Sequence, residues 1–506
     1  MNVYLPGIVI LLPILGGILI PLLPFRLRTA RNVYIEILVI VNALLVAVLL
    51  WSPPQGVLEI FKFTGNLGFS FKEDGMSTLF AGMISFLWPL ASLYAFEYMK
   101  KEVHEDFFFM FYSITYGVTL GISLAGNLLT MYCFYELLTL VTVPLVLHTL
   151  TREAVLASRK YLYYSLGGAA FAFMGLIFII MYGTTTDFVY GGVLDPSKAG
   201  NNVEALLFIY VMAFLGFGVK AAVCPFNSWL PDAGVAPTPV TALLHAVAVV
   251  KSGAFAIIRI TYYSFGTDFL RGTWAQSVVM VITICTIVYG CSCALKETHL
   301  KRRLAYSTIS NLSYILFGVT IMTPAGLVGA LSHMLFHAFM KIASFFCAGA
   351  VIHQTEKEYI HELNGLGRRM PIVFSVFLIS ALALMGVPGL AGFISKWNLA
   401  SAAVGAGTIA PAAETESFFT YNTNLGYIGT AALLISALLT AIYMMAIMMR
   451  AFFPGEAFDY NTVKQYKDPD WKMLVPLCIF AAVIVIFGVK SQIFVDFFWQ
   501  IAGGLR

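Results

Sequence analysis

GFGVKAAVCPFNSWLPDA, residues 216–233, begins as an apolar helix, carries a lysine at Lys220, and breaks at Pro225. A proline inside a helix removes a hydrogen-bond donor and clashes with the preceding turn, so the helix stops there. The surroundings make the lysine costly. Of 506 residues, 59% are hydrophobic and 11% charged, against roughly 25% charged in a soluble domain; mean hydropathy is +0.85. Lys220 is therefore expected inside a membrane span, where a charge costs about 2.5–3.5 kcal/mol on insertion scales.

A bilayer crossing needs about 20 apolar residues. Such segments fall near 3–25, 33–51, 76–97, 107–126, 128–149, 161–183, 205–224, 238–264, 274–295, 303–322, 325–352, 371–400, 423–449 and 472–495, which makes fourteen. The first is too long and too weakly basic at its start to be a cleaved signal peptide. Alternate connections carry 19 of the 30 basic residues: Arg26, Arg28 and Arg31; Lys100 and Lys101; Arg152, Arg159 and Lys160; Lys296, Lys301, Arg302 and Arg303; Lys357, Arg368 and Arg369; and Arg450, Lys464, Lys467 and Lys472. The opposite connections and termini hold six: Lys62, Lys72, Lys198, Arg271, Lys490 and Arg506. The positive-inside rule then puts the basic connections in the cytoplasm and both termini outside. The expected location is the cytoplasmic (inner) membrane of a prokaryote. These basic residues have a topological explanation, so nucleic-acid binding is not needed. All seven cysteines lie in apolar segments without a C-x-x-C pair, which argues against iron–sulfur ligation and a disulfide framework.

No soluble domain is evident. The longest polar connections are 52–75, 184–204, 401–422 and 450–471. The first, with GNLGFSFKEDG, alternates enough for a short hairpin on the outer face. Two spans are interrupted, the seventh by Pro225 and Pro231 and the twelfth by GVPGLAGF at 386–393. Broken backbone is tolerated in lipid only where protein or a wet cavity satisfies the freed amides. A pair of broken helices points to a transport site.

Five cations remain inside spans: Lys220, Lys251, Arg259, Lys341 and Lys396. Glu136, in MYCFYELLTLVTVP, reads as the only carboxylate deep in a span, and Lys220 as its most economical partner. Pairing offsets part of the desolvation cost of both. One reading is a relay in which a lysine loads and releases a proton as the carboxylate moves; the other is a static pair joining two helices. In LLHAVAVVKSGAFAIIRI, His245 and Lys251 are six apart and should point to different sides, with Lys251 toward an interior path. Arg259 lies near a span end, where it can snorkel.

LSHMLFHAFMKIASFF places His333, His337 and Lys341 at i, i+4 and i+8, one stripe on one helix face. Two histidines four apart resemble half a zinc site, but no carboxylate or cysteine adjoins them and a cation continues the stripe. They could also be histidines hydrogen-bonded to neighbouring helices. A hydrated chain of proton carriers suits neutral imidazoles best. GGAAFAFMG reads as close helix packing, and KETHLKRRLAYS as a basic loop entering a helix. No nucleotide loop, serine-hydrolase elbow or cofactor fingerprint is present. A hydrolase would need Ser332 or Ser344 beside these imidazoles, and no carboxylate orients them.

VKAAVCPFNSWLPDA, TPVTALLHAVAVVKSGAFAIIR, LKRRLAYSTISNLSYILFG, HMLFHAFMKIASFFCAGAVIH and GVPGLAGFISKW together resemble the antiporter-like proton-translocating membrane subunits. That family is shared by respiratory complex I, membrane-bound energy-converting hydrogenases and multisubunit (Mrp-type) sodium/proton antiporters. The resemblance runs from about Asp106 to Arg450. It implies an all-α integral membrane fold of about 14 transmembrane helices, with two inverted five-helix repeats and broken seventh and twelfth helices. The implied organisation is an N-terminal three-helix segment (1–106), a first repeat (107–265), a second repeat (266–453) and a C-terminal helix (454–506). It implies a proton pathway through Glu136, Lys220, Lys251, His333, His337, Lys341 and Lys396, with His245 a weaker member. Lys396 followed by Trp397 looks more like the hydrogenase and antiporter branches. The long lateral helix of the largest complex I paralogue is not expected.

The reading is a proton-translocating subunit of a redox-driven membrane complex. Two alternatives stand: a subunit of a multisubunit sodium/proton antiporter without redox activity, and a stand-alone secondary transporter of an organic solute. No cofactor is expected in this chain; iron–sulfur clusters, NiFe or flavin belong to peripheral redox subunits. Expected partners are lipid and other membrane subunits, including paralogous antiporter-like ones.

Overall fold

The computed structural model describes residues 3–54, 56–64, 67–406, 424–456 and 458–504. Most of the polar connection 401–422, and Arg506, lie outside the described residues. The chain runs through α1 (Leu5–Leu19) and α2 (Arg28–Trp51), a hairpin of β1 (Leu58–Thr64) and β2 (Leu67–Phe71), then α3 (Gly75–Tyr98), α4 (Glu105–Ser123), α5 (Leu128–Val146) and α6 (Arg152–Tyr182). After α7 (Val203–Gly218) come α8 (Thr238–Phe265), α9 (Trp274–Lys296), α10 (Leu300–Thr320) and α11 (Pro324–Thr355). The chain closes with α12 (Pro371–Met385), α13 (Ala391–Ala406), α14 (Asn424–Phe452), α15 (Trp471–Val489) and α16 (Ser491–Ala502).

Each span read from the sequence falls on one or two of these helices, the twelfth on α12 and α13. Among the described residues, nine helices have the length and apolarity to cross a membrane unaided. α1, α7 and α12 are shorter apolar helices, while α4 and α10 carry more polar side chains. The protein is a multi-pass membrane protein. Helix starts follow capping chemistry: Asp74, Asn127, Thr151 and Thr323 each accept from a backbone N–H at the head of α3, α5, α6 and α11, satisfying donors that would otherwise be orphaned. The hairpin expected over 52–75 is present, its two strands antiparallel with Leu58 opposite Phe71.

Two expectations are corrected. The span placed at 472–495 ends at Val489, and a separate amphipathic helix, α16, begins at Ser491. Lys490, Ser491 and Gln492 mark this joint in the sequence, and the span drawn through to 495 overruns them. The eighth helix is not regular. It holds π turns at Leu243–Val247 and Arg259–Phe265, with the Ala248 N–H bonded to the Leu243 carbonyl at 2.9 Å.

The alternation of connections is visible in three dimensions. At one end the basic ones meet: Arg31 with Asp106 at 2.7 Å, Lys160 with Asp232 at 2.7 Å, and His299 with Glu358 at 3.2 Å. At the other end Asn127 bridges to Asp187, Gly183 to Leu194, and Arg259 to Asp74. Between the two ends α6 and α7 touch through small residues. A Cβ on Gly168 would sit 2.7 Å from the Gly216 carbonyl, and one on Gly175 would sit 2.7 Å from Ala213 Cβ. That is the close packing expected of GGAAFAFMG.

Candidate functional site

α7 stops at Gly218, and residues 219–228 form turns before the chain re-enters a helix at Trp229. The freed backbone is satisfied by protein. The Trp229 indole N–H donates to the Val219 carbonyl at 2.9 Å, and the Cys224 N–H donates to Thr286 Oγ1 at 3.1 Å. Gly253 of α8 packs on the same turn, where an added Cβ would lie 2.6 Å from the Ala221 nitrogen. Lys220 stands within this break, fully buried.

Its ammonium lies 3.9 Å from Glu136 Oε1, donates to the Tyr135 carbonyl, and sits 3.4 Å from the centroid of the Tyr135 ring. Glu136 keeps 22% of its side chain exposed, whereas Lys220 keeps none. The pair is thus a Coulombic contact without a hydrogen bond between its members. At about 4 Å such a pair is worth roughly 4 kcal/mol at an effective dielectric of about 20, enough for a small movement of Glu136 to matter.

Lys251 is fully buried between the two π turns of α8, a helix form that recurs at functional sites. Its Nζ is 2.9 Å from His337 Nδ1 on α11. An amine and an imidazole at this distance share one proton position: whichever nitrogen carries the proton donates to the other. His245 also meets α11, stacking on Phe345 with centroids 4.6 Å apart. The expectation that His245 and Lys251 point to different sides is therefore corrected, since a π turn adds a residue to the ladder and breaks the α-helical spacing behind it.

The α11 stripe is continuous. His333 and His337 stack with centroids 5.5 Å apart. His333 Nδ1 is 2.9 Å from Ser395 Oγ on α13. Lys341 donates to the Leu304 carbonyl of α10 at 3.1 Å. Each histidine thus has one nitrogen bonded to a neighbouring helix, and each Nε2 is buried without a protein partner. Both His245 nitrogens are likewise unpartnered. Buried polar atoms of this kind are normally met by ordered water. Among the described residues no set of three His, Cys, Asp or Glu side chains converges as a metal site.

The second break lies between α12 and α13, where Gly386 at φ +92° and Gly389 at φ +88° carry the turn. Lys396 reaches back to the last carbonyls of α12, donating to Leu384 at 2.6 Å and Met385 at 3.0 Å. The negative end of a helix favours such a cation. Lys396 lies 5.4 Å from the Tyr314 ring centroid, and the His333 ring lies 5.2 Å from the same ring. The residues from Lys251 through His337 and His333 to Lys396 are therefore contiguous, whereas Lys220 and Glu136 form a separate cluster at the first break.

Sequence reasoning misses two partners, Asp74 and Ser395, and one carboxylate, Glu36. Arg259 does not snorkel: it is fully buried, bonded through both terminal nitrogens to Asp74 at 2.6 and 2.8 Å, and ringed by Phe188, Phe255 and Tyr263. Asp74 falls in a polar connection by composition, although its place just before an apolar helix marks a cap. Ser395, one residue before Lys396, gives no signal of its own. Glu136 is also not the sole carboxylate within a span, because Glu36 lies inside α2.

Comparison with known proteins agrees with this architecture. The NADH:quinone oxidoreductase/Mrp antiporter transmembrane family model matches residues 125–420. A Na(+)/H(+) antiporter protein of Alkalihalophilus pseudofirmus, one component of that antiporter, is 29% identical over 495 residues, covering 92% of this chain and 59% of the relative. A Na(+)/H(+) antiporter component from Staphylococcus aureus is 28% identical over 500 residues, covering 95% and 60%. The chain thus spans about three fifths of these relatives' length. Among solved structures, a chain of the membrane-bound sulfane sulfur reductase, an archaeal respiratory membrane complex, superposes with TM-score 0.82 at 22% identity, covering 99% of this chain and 97% of that one. A chain of the Mrp complex from Dietzia sp. DQ12-45-1b gives 0.82 at 21% identity, covering 100% and 98%. These likenesses establish the fold.

Proposed function

Because the chain belongs to the NADH:quinone oxidoreductase/Mrp antiporter transmembrane family, we propose that it is a proton-translocating subunit of a multisubunit sodium/proton antiporter. The relatives named above are subunits of sodium/proton antiporters, which favours this over the redox-driven reading from sequence. The observation that carries the mechanism is the contiguous row of amines and imidazoles, with Lys251 and His337 at 2.9 Å. Protonatable side chains in hydrogen-bond contact, with open ring nitrogens for water, are what a proton relay needs.

In the proposed cycle a cytoplasmic proton loads Lys220 while Glu136 holds the charge in place. When that contact loosens, the proton moves to Lys251, crosses to His337 and His333, and reaches Lys396. Lys396 gives it up on the outer side when the α12 carbonyls release it. Lys341 and His245 set the charge around the row from its other end. Sodium exchange, and any partner that performs it, belong to the assembled complex.

The test is sodium-dependent proton movement in everted membrane vesicles from an antiporter-deficient host that expresses the whole complex. Addition of sodium should dissipate a preformed pH gradient. A pH gradient that forms on addition of an electron donor and does not respond to sodium would overturn the antiporter reading. It would favour the redox-driven one. In that case iron–sulfur, NiFe or flavin groups would be sought in co-purifying subunits.

A further inference from the structure

His333 and His337 are held by partners of different hydrogen-bonding character. At His337 the partner is Lys251, whose Nζ lies 2.9 Å from Nδ1. An ammonium only donates, so a proton-loaded Lys251 makes His337 Nδ1 the acceptor and leaves the ring proton on Nε2. At His333 the partner is Ser395 of α13, whose Oγ lies 2.9 Å from Nδ1. The same hydroxyl reaches the Gly392 carbonyl at 3.2 Å, one turn back along its own helix. A hydroxyl has a single proton to give, and a carbonyl only accepts. With that proton on Gly392, the Ser395 oxygen presents its lone pairs to His333, and Nδ1–H donates to it. The reverse arrangement, with Ser395 donating to a bare Nδ1, forfeits the Gly392 bond.

The surroundings leave this choice to Ser395. His333, His337, Lys251 and Ser395 are all fully buried. Neither Nε2 has a protein partner, and among the described residues no carboxylate bonds either ring. Tyr314 lies 5.2 Å from His333 between ring centroids, but its hydroxyl is bonded to Ser436 of α14 at 2.7 Å. The Tyr314 ring rather than its hydroxyl therefore meets the imidazole. The bond made by one imidazole nitrogen fixes the state of the other, so Ser395 leaves a neutral His333 with a bare Nε2.

We infer that Ser395 is a positioning residue: it holds His333 in the Nδ1–H tautomer and so makes His333 Nε2 the acceptor for the proton that leaves His337 Nε2. This rests on the reading of the chain as a proton conductor. The two rings stack 5.5 Å apart with 24° between their planes, a gap that one water spans with two hydrogen bonds of roughly 2.8 Å. An N–H bond of Lys251 breaks as one forms at His337 Nδ1. The N–H bond at His337 Nε2 breaks as its proton enters the water, and a proton of that water forms the new N–H bond at His333 Nε2. Lys251 ends neutral, His337 ends neutral in the opposite tautomer, and His333 carries the positive charge. Were His333 in the Nε2–H tautomer, both Nε2 atoms would hold protons and the transfer would lack an acceptor.

The experiment is solid-state magnetic resonance of the assembled complex in membranes at neutral pH, with its histidines isotope-labelled at carbon and nitrogen. Nδ1 is read through its bond to Cγ and Nε2 through its bond to Cδ2, and the His333 signal is the one lost in His333→Gln. The wild-type protein should carry the His333 proton on Nδ1. Ser395→Ala should move that proton partly or wholly to Nε2 and slow proton movement in vesicles severalfold, and Ser395→Thr, which keeps a hydroxyl, should restore both. A wild-type proton on Nε2 overturns the proposal, whether or not any variant assembles. So does a Ser395→Ala complex with an unchanged tautomer, or one with a shifted tautomer and the wild-type rate. The tautomer is read without transport: a proton on Nε2 in a complex that transports defeats this proposal alone, whereas the Nδ1–H tautomer in a complex that never transports defeats the function proposed above.

Discussion

Lys220 does not answer its burial with a tight ion pair. It holds a carbonyl and an aromatic face, and keeps Glu136 at 3.9 Å. A static brace would close that distance into a hydrogen bond, because a buried pair repays desolvation only with good geometry. The Lys251–His337 contact makes a sharper claim at this scale. Lys251→Ala and His337→Ala should each cut transport at least tenfold, and the double variant should lose little more than the worse single one. A double-mutant cycle in vesicles reads this coupling; additive losses would show that the two act separately. Arg259 and Asp74 form a different kind of site. Asp74→Asn leaves a buried guanidinium without its carboxylate, and removing one partner of such a pair costs about 3–5 kcal/mol. The detergent-solubilised complex should melt at visibly lower temperature, with no selective change in proton coupling in whatever fraction remains assembled.

The elements explain which parts of this could be read from sequence. Apolar runs punctuated by basic loops locate the membrane-crossing helices, because lipid leaves the backbone few alternatives. The breaks are legible for the same reason: Pro225 and the Gly386–Gly389 turn cannot continue a helix. The π turns of α8 are not, since Leu243–Val247 and Arg259–Phe265 have the composition of ordinary helix, and only packing on every side selects the wider form. The separation of α16 from α15 is marked by Lys490, Ser491 and Gln492, a polar step too short to stand out between two apolar runs. Charged site residues stand out because lipid makes them costly, whereas Ser395, Tyr314 and Tyr135 are common residue types whose roles come from what folds against them. A test at this scale is Gly253→Val. With a Cβ there only 2.6 Å from the Ala221 nitrogen, α8 must back away from the first break. The yield of assembled complex should fall severalfold, while Gly234→Ala, where an added Cβ meets nothing within 4 Å, leaves it unchanged.

At the scale of the whole molecule, two polar ends are knit independently around an apolar middle, and the row of amines and imidazoles crosses that middle. The basic end should be acid-sensitive. Its hydrogen bond with His299 holds the Glu358 carboxyl below the ordinary value of 4.5. A depressed carboxyl stabilises the folded state above its unfolded value, and that contribution is lost as pH falls through the lower folded value. Because Glu358 is about half exposed, solvent screens the pair and the effect is small, on the order of 0.5 kcal/mol. Glu358→Gln should lower the melting temperature slightly at neutral pH, and the difference should shrink as pH falls below the ordinary carboxyl value of 4.5; a difference that stays constant into acid would contradict it. The central claim is that the buried row conducts protons and that Lys220 loads it. The most direct test is sodium-driven proton movement in everted vesicles that carry the complete complex with Lys220→Ala, its assembly verified by co-purification of the other subunits. The account predicts an assembled complex whose coupled proton movement is abolished. Transport at the wild-type rate by that assembled variant would contradict it.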